Sequence, residues 1–114
     1  MSLFDIPFEA IDSSDIQALI DHRVEENYRL EYKEDYSIGI PGNRDIACDI
    51  TAFANASGGL IIIGISACKK NKTEPKDIVG ISHPDDLTER IANVCAERIE
   101  PKLEFLESRK LLVN

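Results

Sequence analysis

Ala52-Phe53-Ala54-Asn55-Ala56-Ser57-Gly58-Gly59-Leu60-Ile61-Ile62-Ile63-Gly64-Ile65-Ser66 reads as a helix end, a glycine stop and a buried strand in immediate succession. Paired glycines end a helix because glycine accepts the left-handed conformation without a steric penalty. The run Leu60 to Ile65 is β-branched and nearly uninterrupted, which predicts a central strand covered on both faces. The small residues Ala52, Ala54 and Gly58 are expected to lie against that strand with little exposure. Asn55, just before the glycines, reads as a cap for orphan carbonyls at the helix exit.

Upstream, Ile46, Ile50, Phe53 and Ala54 form the apolar stripe of the same helix, with Asp45 and Asp49 outside it. Ile40-Pro41-Gly42-Asn43 reads as a turn that ends in Asn43 as N-cap. Leu30-Glu31-Tyr32-Lys33 alternates as a short strand does, with Leu30 and Tyr32 on one face and Glu31 and Lys33 on the other. Ser14 and Gln17 have capping-box spacing, and Ile16, Leu19, Ile20 and Val24 then recur at helical intervals, giving a helix over about 14–24. Residues 1–12 form an N-terminal arm ahead of a domain over 13–114.

Downstream, Lys69 to Pro75 is a polar loop and Asp77 to Ile81 a return strand, so the pair reads as an antiparallel hairpin. Pro84 opens a third helix carrying Leu87, Ile91, Val94, Cys95 and Ile99, and Pro101 ends it. Leu103 with Phe105, and then Lys110 to Val113, read as two further strands. The expected fold is α+β, a mixed or antiparallel sheet with helices packed on it, in the order α-β-α-β-β-α-β-β. The chain stops inside an apolar strand, which predicts a piece of a longer protein.

Composition narrows the function. The 114 residues are 43% hydrophobic and 30% charged, ordinary for one small globular domain. No apolar run is long enough to cross a bilayer, and the N-terminus lacks the pattern of a signal peptide. Cys48, Cys68 and Cys95 are odd in number and widely spaced, which argues against a disulfide framework or structural zinc and for a reduced, cytoplasmic protein. Cys48 and Cys95 read as small core residues.

The net charge of −8 is uneven. Residues 1–36 hold ten acids against Arg23, Arg29 and Lys33 and carry −7, so the rest carries only −1. Within that rest, residues 68–76 hold Lys69, Lys70, Lys72 and Lys76 against Glu74, a local +3. Lysines on a loop suit a phosphate grip of low sequence specificity, and Arg44 is a candidate addition. No aromatic residue interleaves these lysines, so base stacking has no evident platform in the loop.

There is no G-x-x-x-x-G-K-[ST] and no G-x-G-x-x-G, so no ATP or dinucleotide site is expected. His22 and His83 stand apart from each other and from the cysteines. Glu26 and Glu31 are five residues apart, and Glu31-Tyr32-Lys33 reads E-x-K. Two carboxylates can share a divalent metal while a lysine orients a water for phosphodiester cleavage. For the two to converge, Glu26 must lie on a loop or helix end.

Taken together, Glu26 to Lys33 (ENYRLEYK), Ala52 to Ser66 (AFANASGGLIIIGIS) and Asp77 to Ile81 (DIVGI) resemble the Schlafen AlbA-like DNA-binding domain. That domain, also labelled divergent AAA, occurs in prokaryotic transcriptional regulators and helicase-related proteins. The resemblance implies a nucleic-acid partner, DNA in the regulators. In RNA-cleaving animal Schlafen proteins, residues matching Glu26 and Glu31 are the first two of three catalytic acids. The third lies just beyond the strand, where this chain has Ser66-Ala67-Cys68 and no acid. That departure removes a metal ligand and argues against nuclease activity, with Asp77, entering the return strand, the alternative acid.

The leading expectation is therefore a non-enzymatic DNA-binding module of a regulator, with no cofactor and no membrane partner. A metal-dependent endonuclease using Glu26, Glu31 and Lys33 is the alternative, and a protein-interaction or sensor module the third reading. An unpaired sheet edge would favour a homodimer. In the absence of a metal, Lys33 is expected to compensate the two glutamates.

Overall fold

The structure is a computed structural model that describes residues 3–55, 58–98, 107, 108 and 111. Two short 3-10 turns, Leu3–Asp5 and Phe8–Ala10, precede α1 (Ser13–Asp21), β1 (Leu30–Lys33), α2 (Ile40–Asn55), β2 (Leu60–Ile63), β3 (Ile65–Ala67), β4 (Pro75–Ile78) and α3 (Pro84–Arg98). The protein is α+β, and the expected element order holds through α3 with one difference: the 60–65 strand is two strands. The strand expected at Leu103 and Phe105 lies outside the described residues. Of Lys110 to Val113, only Leu111 is described, packed against the core with no regular structure.

β1 and β2 pair in parallel, Leu30 with Leu60 through Lys33 with Ile63. The alternation of side chains sends Leu30, Tyr32, Leu60 and Ile62 into one apolar cluster with Leu3, Ile11, Ile16, Leu19 and Ile65. Ile61 and Ile63 point the other way, into a second cluster with Tyr36, Ile46, Ile50, Leu87, Ile91 and Val94. The small sheet is thus covered on both faces, by the arm and α1 on one side and by α2 and α3 on the other. Parallel pairing and two-sided cover belong together. Ile46, fully buried, anchors the second cluster.

Gly64 breaks the strand. At φ +106 it turns the chain, and its N–H donates to the Lys33 carbonyl at 2.7 Å. Its own carbonyl accepts from Val79 at 2.8 Å and Gly80 at 3.1 Å, so one glycine connects both sheets. β3 then pairs with β4 in antiparallel fashion, with a register shift between Ile65 and Ala67. The return strand runs over Pro75–Ile78, earlier than the expected Asp77 to Ile81.

Helix boundaries also differ from the sequence reading. Asp12, not Ser14, caps α1: its carboxylate accepts from the Ser14 and Asp15 N–H groups while Asp15 reaches back to the Asp12 N–H. A carboxylate facing the positive end of the helix dipole wins over a hydroxyl, and the Ser14 hydroxyl is itself spent on Asp12 at 2.6 Å. The helix closes with bonds from Arg23 to Ile20 and from Val24 to Leu19, with Arg23 left-handed at φ 51. α2 begins at Ile40, so Asn43 lies inside its first turn. Freed from capping, the Asn43 side chain accepts from Arg90 Nε at 3.1 Å and ties α2 to α3, while Arg90 Nη2 reaches the Ser37 carbonyl at 2.8 Å.

Ala52, Ala54 and Gly58 are exposed, contrary to expectation. The close approach occurs one residue later. A Cβ on Gly59 would stand 2.6 Å from the Phe53 ring and 2.8 Å from the Arg29 carbonyl, where the chain enters the sheet. Cys48 is exposed rather than in the core, since it lies off the Ile46 and Ile50 stripe; Cys95 packs against the second cluster as expected.

Candidate functional site

Two groups of residues with chemistry flank β1. The first begins with Glu26, in the loop between α1 and β1, whose Oε1 accepts from the Tyr32 N–H at 3.2 Å. That bond folds the loop back along the strand and brings the Glu26 carboxylate near Glu31. Glu31 and Lys33 project from β1 toward α2, as the alternation requires. Asp49 meets them from the middle of α2. Lys33 Nζ stands 3.5 Å from Asp49 Oδ2, and the Tyr36 hydroxyl donates to the same oxygen at 2.7 Å. Lys33 also lies over the Tyr36 ring, 5.6 Å from its centre.

Glu31 feels this arrangement most. Burial raises its pKa above the ordinary value, the Asp49 and Glu26 charges add to the rise, and Lys33 offsets only part of it. Burial together with the Glu26 charge pushes the Tyr32 phenol up to about 12, and its hydroxyl donates to the Val24 carbonyl at 2.7 Å. The Tyr36 phenol is raised further, by burial and by its donation to Asp49. Both tyrosines are therefore fixed donors at any ordinary pH.

Lys33 was expected to compensate Glu26 and Glu31. Its ion pair is instead with Asp49, because α2 delivers that carboxylate to the face from which Lys33 projects. Arg29, the arginine just before β1, stacks on the Phe4 ring at 3.9 Å. Sequence reasoning passed over Asp49 and Tyr36 as members of this group. The one available signal was that Asp49 adjoins Ile50 and sits three residues beyond Ile46, at the edge of the buried stripe.

The second group is the β3–β4 loop. Lys69, Lys70, Lys72 and Lys76 are all exposed. The loop is internally braced: Asn71 Oδ1 accepts from the Thr73 N–H at 3.2 Å and hydroxyl at 2.6 Å, and Cys68 N–H donates to the Glu74 carbonyl at 3.0 Å. The N–H groups of Asn71 and Lys70 hold the Cys68 thiol below its usual pKa. The loop is also joined to the entry of β1. Glu26 N–H donates to the Thr73 carbonyl at 2.8 Å, and Asn71 Nδ2 to Glu25 at 2.6 Å.

Arg44 is exposed on the first turns of α2, whose main helical neighbour is α3, so the structure does not bring it into the lysine loop. Asp77 is exposed on β4 and its N–H donates to the Ser66 hydroxyl oxygen at 3.2 Å. His22 and His83 are exposed. Among the described residues, no three of His, Cys, Asp and Glu are arranged to hold a metal ion, and no helix is long and apolar enough to cross a membrane.

A family model described as Schlafen, AlbA_2 matches residues 26–113. No match is found among curated proteins or among solved structures. The matched segment opens at Glu26, takes in the E-x-K strand, the helix with its glycine stop and the lysine hairpin, and continues through α3. The chain belongs to the Schlafen AlbA_2 family, a family of nucleic-acid-related domains.

Proposed function

We propose that the chain is a non-enzymatic DNA-binding module of a prokaryotic transcriptional regulator, acting in the cytoplasm. The observation that carries this reading is the braced β3–β4 loop with its four exposed lysines. A loop already held by its own hydrogen bonds loses little entropy when phosphates dock on it. Phosphate contacts from lysines position a protein on nucleic acid without reading its sequence. Arg44, on a different element, extends the contact only to a ligand that reaches around to α2. The two-stranded sheets leave backbone edges among the described residues, and pairing of such an edge with a second copy is part of this reading.

The convergence of Glu26, Glu31 and Asp49 beside Lys33 favours a second reading, an endonuclease of Schlafen type. The residues present do not fit a divalent ion. Asp49 is already engaged by Lys33 and the Tyr36 hydroxyl, and β3, just beyond Gly64, carries Ser66-Ala67 where an acid would be needed. We therefore assign the cluster to structure rather than to catalysis.

The test is a triple change of Lys69, Lys70 and Lys72 to alanine, read by DNA binding across a salt series. The variant should bind more weakly, and its salt dependence should flatten by roughly 0.7–0.9 logarithmic units per lost contact. Unchanged affinity and slope would remove the reading and favour a protein-interaction module.

A further inference from the structure

We infer that Tyr28 is a base-stacking platform beside the lysine loop, and that the nucleic acid this face takes is single-stranded. The inference rests on the nucleic-acid reading above and narrows it. Tyr28 is 75% exposed, the ring of a large aromatic left in water although the apolar clusters lie close by. It occupies a tight turn, in which Asn27 N–H donates to the Leu30 carbonyl at 3.0 Å and Leu30 N–H to the Asn27 carbonyl at 3.2 Å. The Asn27 side chain accepts from the Arg29 N–H at 2.8 Å and closes the turn a third time. A ring carried on so fixed a backbone needs little further ordering to receive a ligand.

The same segment is joined to the lysines. Glu26, two residues before Tyr28, donates its N–H to Thr73, the neighbour of Lys72, at 2.8 Å. At about 3.8 Å per residue step, this connection puts the backbones of Tyr28 and Lys72 at most about 18 Å apart, within reach of one short strand. Two kinds of group are thus held by one brace, a π-face for a base and cations for a backbone.

Charge makes the ring necessary. Glu25 and Glu74 share this corner with the lysines, and the whole chain carries −8, so phosphate attraction alone is weak. Stacking adds binding that does not depend on ion release and that every base can supply. In a duplex the base faces are covered by their neighbours, so an exposed ring at the end of a turn meets a base only where the strand is unpaired. Among the described residues the other large exposed apolar side chains, Ile38, Ile40 and Val79, belong to other segments of the chain, so the turn itself presents a single ring rather than an apolar run.

The experiment follows fluorescence anisotropy of a labelled mixed-sequence DNA strand of about sixteen nucleotides, a length within the usual range for such sites, alone and annealed to its complement. The full chain should prefer the single strand. Tyr28→Ala should weaken single-strand binding by about 5- to 100-fold, leave its salt slope unchanged and leave duplex binding nearly unchanged. Tyr28→Phe, which keeps the ring, should bind like the parent. The lysine triple variant should change the slope instead. If the parent binds with a lysine-dependent slope but Tyr28→Ala binds the single strand equally well, the stacking inference falls and the binding function stands. If the parent binds neither strand nor duplex, both fall.

Discussion

The Tyr36 hydroxyl donates to the Asp49 carboxylate at 2.7 Å, joining the residue that follows β1 by three positions to the middle of α2. The same carboxylate oxygen holds Lys33 at 3.5 Å. Tyr36 and Asp49 therefore do two things at once: they dock α2 on the sheet, and they engage the acid whose charge, after burial, adds most to the rise in the Glu31 pKa.

Tyr36→Phe isolates that contact. Phenylalanine keeps the ring in the second cluster and under Lys33, and removes only the donor. Tyr36 is 5% exposed, so water does not replace the bond freely. Hydrogen bonds to charged groups contribute about 1.5–3 kcal/mol, and urea unfolding should show a loss in that range. A loss below about 0.5 kcal/mol would mean that Asp49 is solvated well enough not to need the phenol.

Glu31 gives a pH-dependent expectation. Its folded pKa lies above the ordinary 4.5, so between those two values the folded state holds more protons than the unfolded state. Stability contributed at this site is present at acid pH and falls as pH rises through the window; above the folded pKa the deficit is complete. Glu31→Gln removes the buried charge. The variant should melt higher than the parent at pH 7, and the difference should close as pH falls below about 4.5. A gap in melting temperature that is constant across pH would show that the carboxylate charge is not its source.

Much of this was legible in the sequence. Period-two alternation in Leu30 to Lys33 assigned both faces of β1 correctly, because a strand's side chains have nowhere else to go. The β-branched run from Leu60 predicted a central strand covered on both faces; the two-sided cover holds, but among the described residues β2 pairs with β1 alone and is not central, and Pro84 marked the start of α3. What escaped were outcomes of competition between near neighbours. Asp12 outranks Ser14 as a cap, Asn43 forgoes capping for Arg90, and Gly64 rather than a loop residue ends the strand. The last two turn on contacts from distant segments that no local window contains, whereas the Asp12 cap is decided locally, a carboxylate against a hydroxyl two residues on. The acid cluster was half legible for the same reason: the spacing of Glu26 and Glu31 could be read, but Asp49 enters from α2 through packing.

Gly64 and Gly80 supply a matched pair of tests. Both have positive φ, +106 and +76, so alanine is strained at either. At Gly64 a Cβ would also lie 3.3 Å from the Gly80 backbone, whereas at Gly80 it would meet nothing within 4 Å. Gly80→Ala should cost about 1–2 kcal/mol from conformation alone. Gly64→Ala should cost more, because the crowded backbone must shift and with it the bonds to Lys33, Val79 and Gly80. Equal losses in urea unfolding would show that the approach of the two glycines is not tight.

The last expectation concerns metal and cleavage, and it separates the binding module from the enzyme. Asp49 is held by Lys33 and Tyr36, and β3 offers Ser66 and Ala67 in place of an acid, so among the described residues a divalent ion finds two glutamates at most. An ion that does not bind the native state cannot raise its stability by mass action. Magnesium or manganese at millimolar concentration should leave the melting temperature nearly unchanged. Incubation with manganese and a structured RNA should leave the RNA whole. Asp49→Asn sharpens the test: it abolishes the ion pair with Lys33 and frees the lysine toward Glu31, yet it should not confer cleavage. RNA cut by the parent chain, with the activity lost in Glu31→Ala, would make Glu26, Glu31 and Lys33 an active site and overturn the non-enzymatic reading.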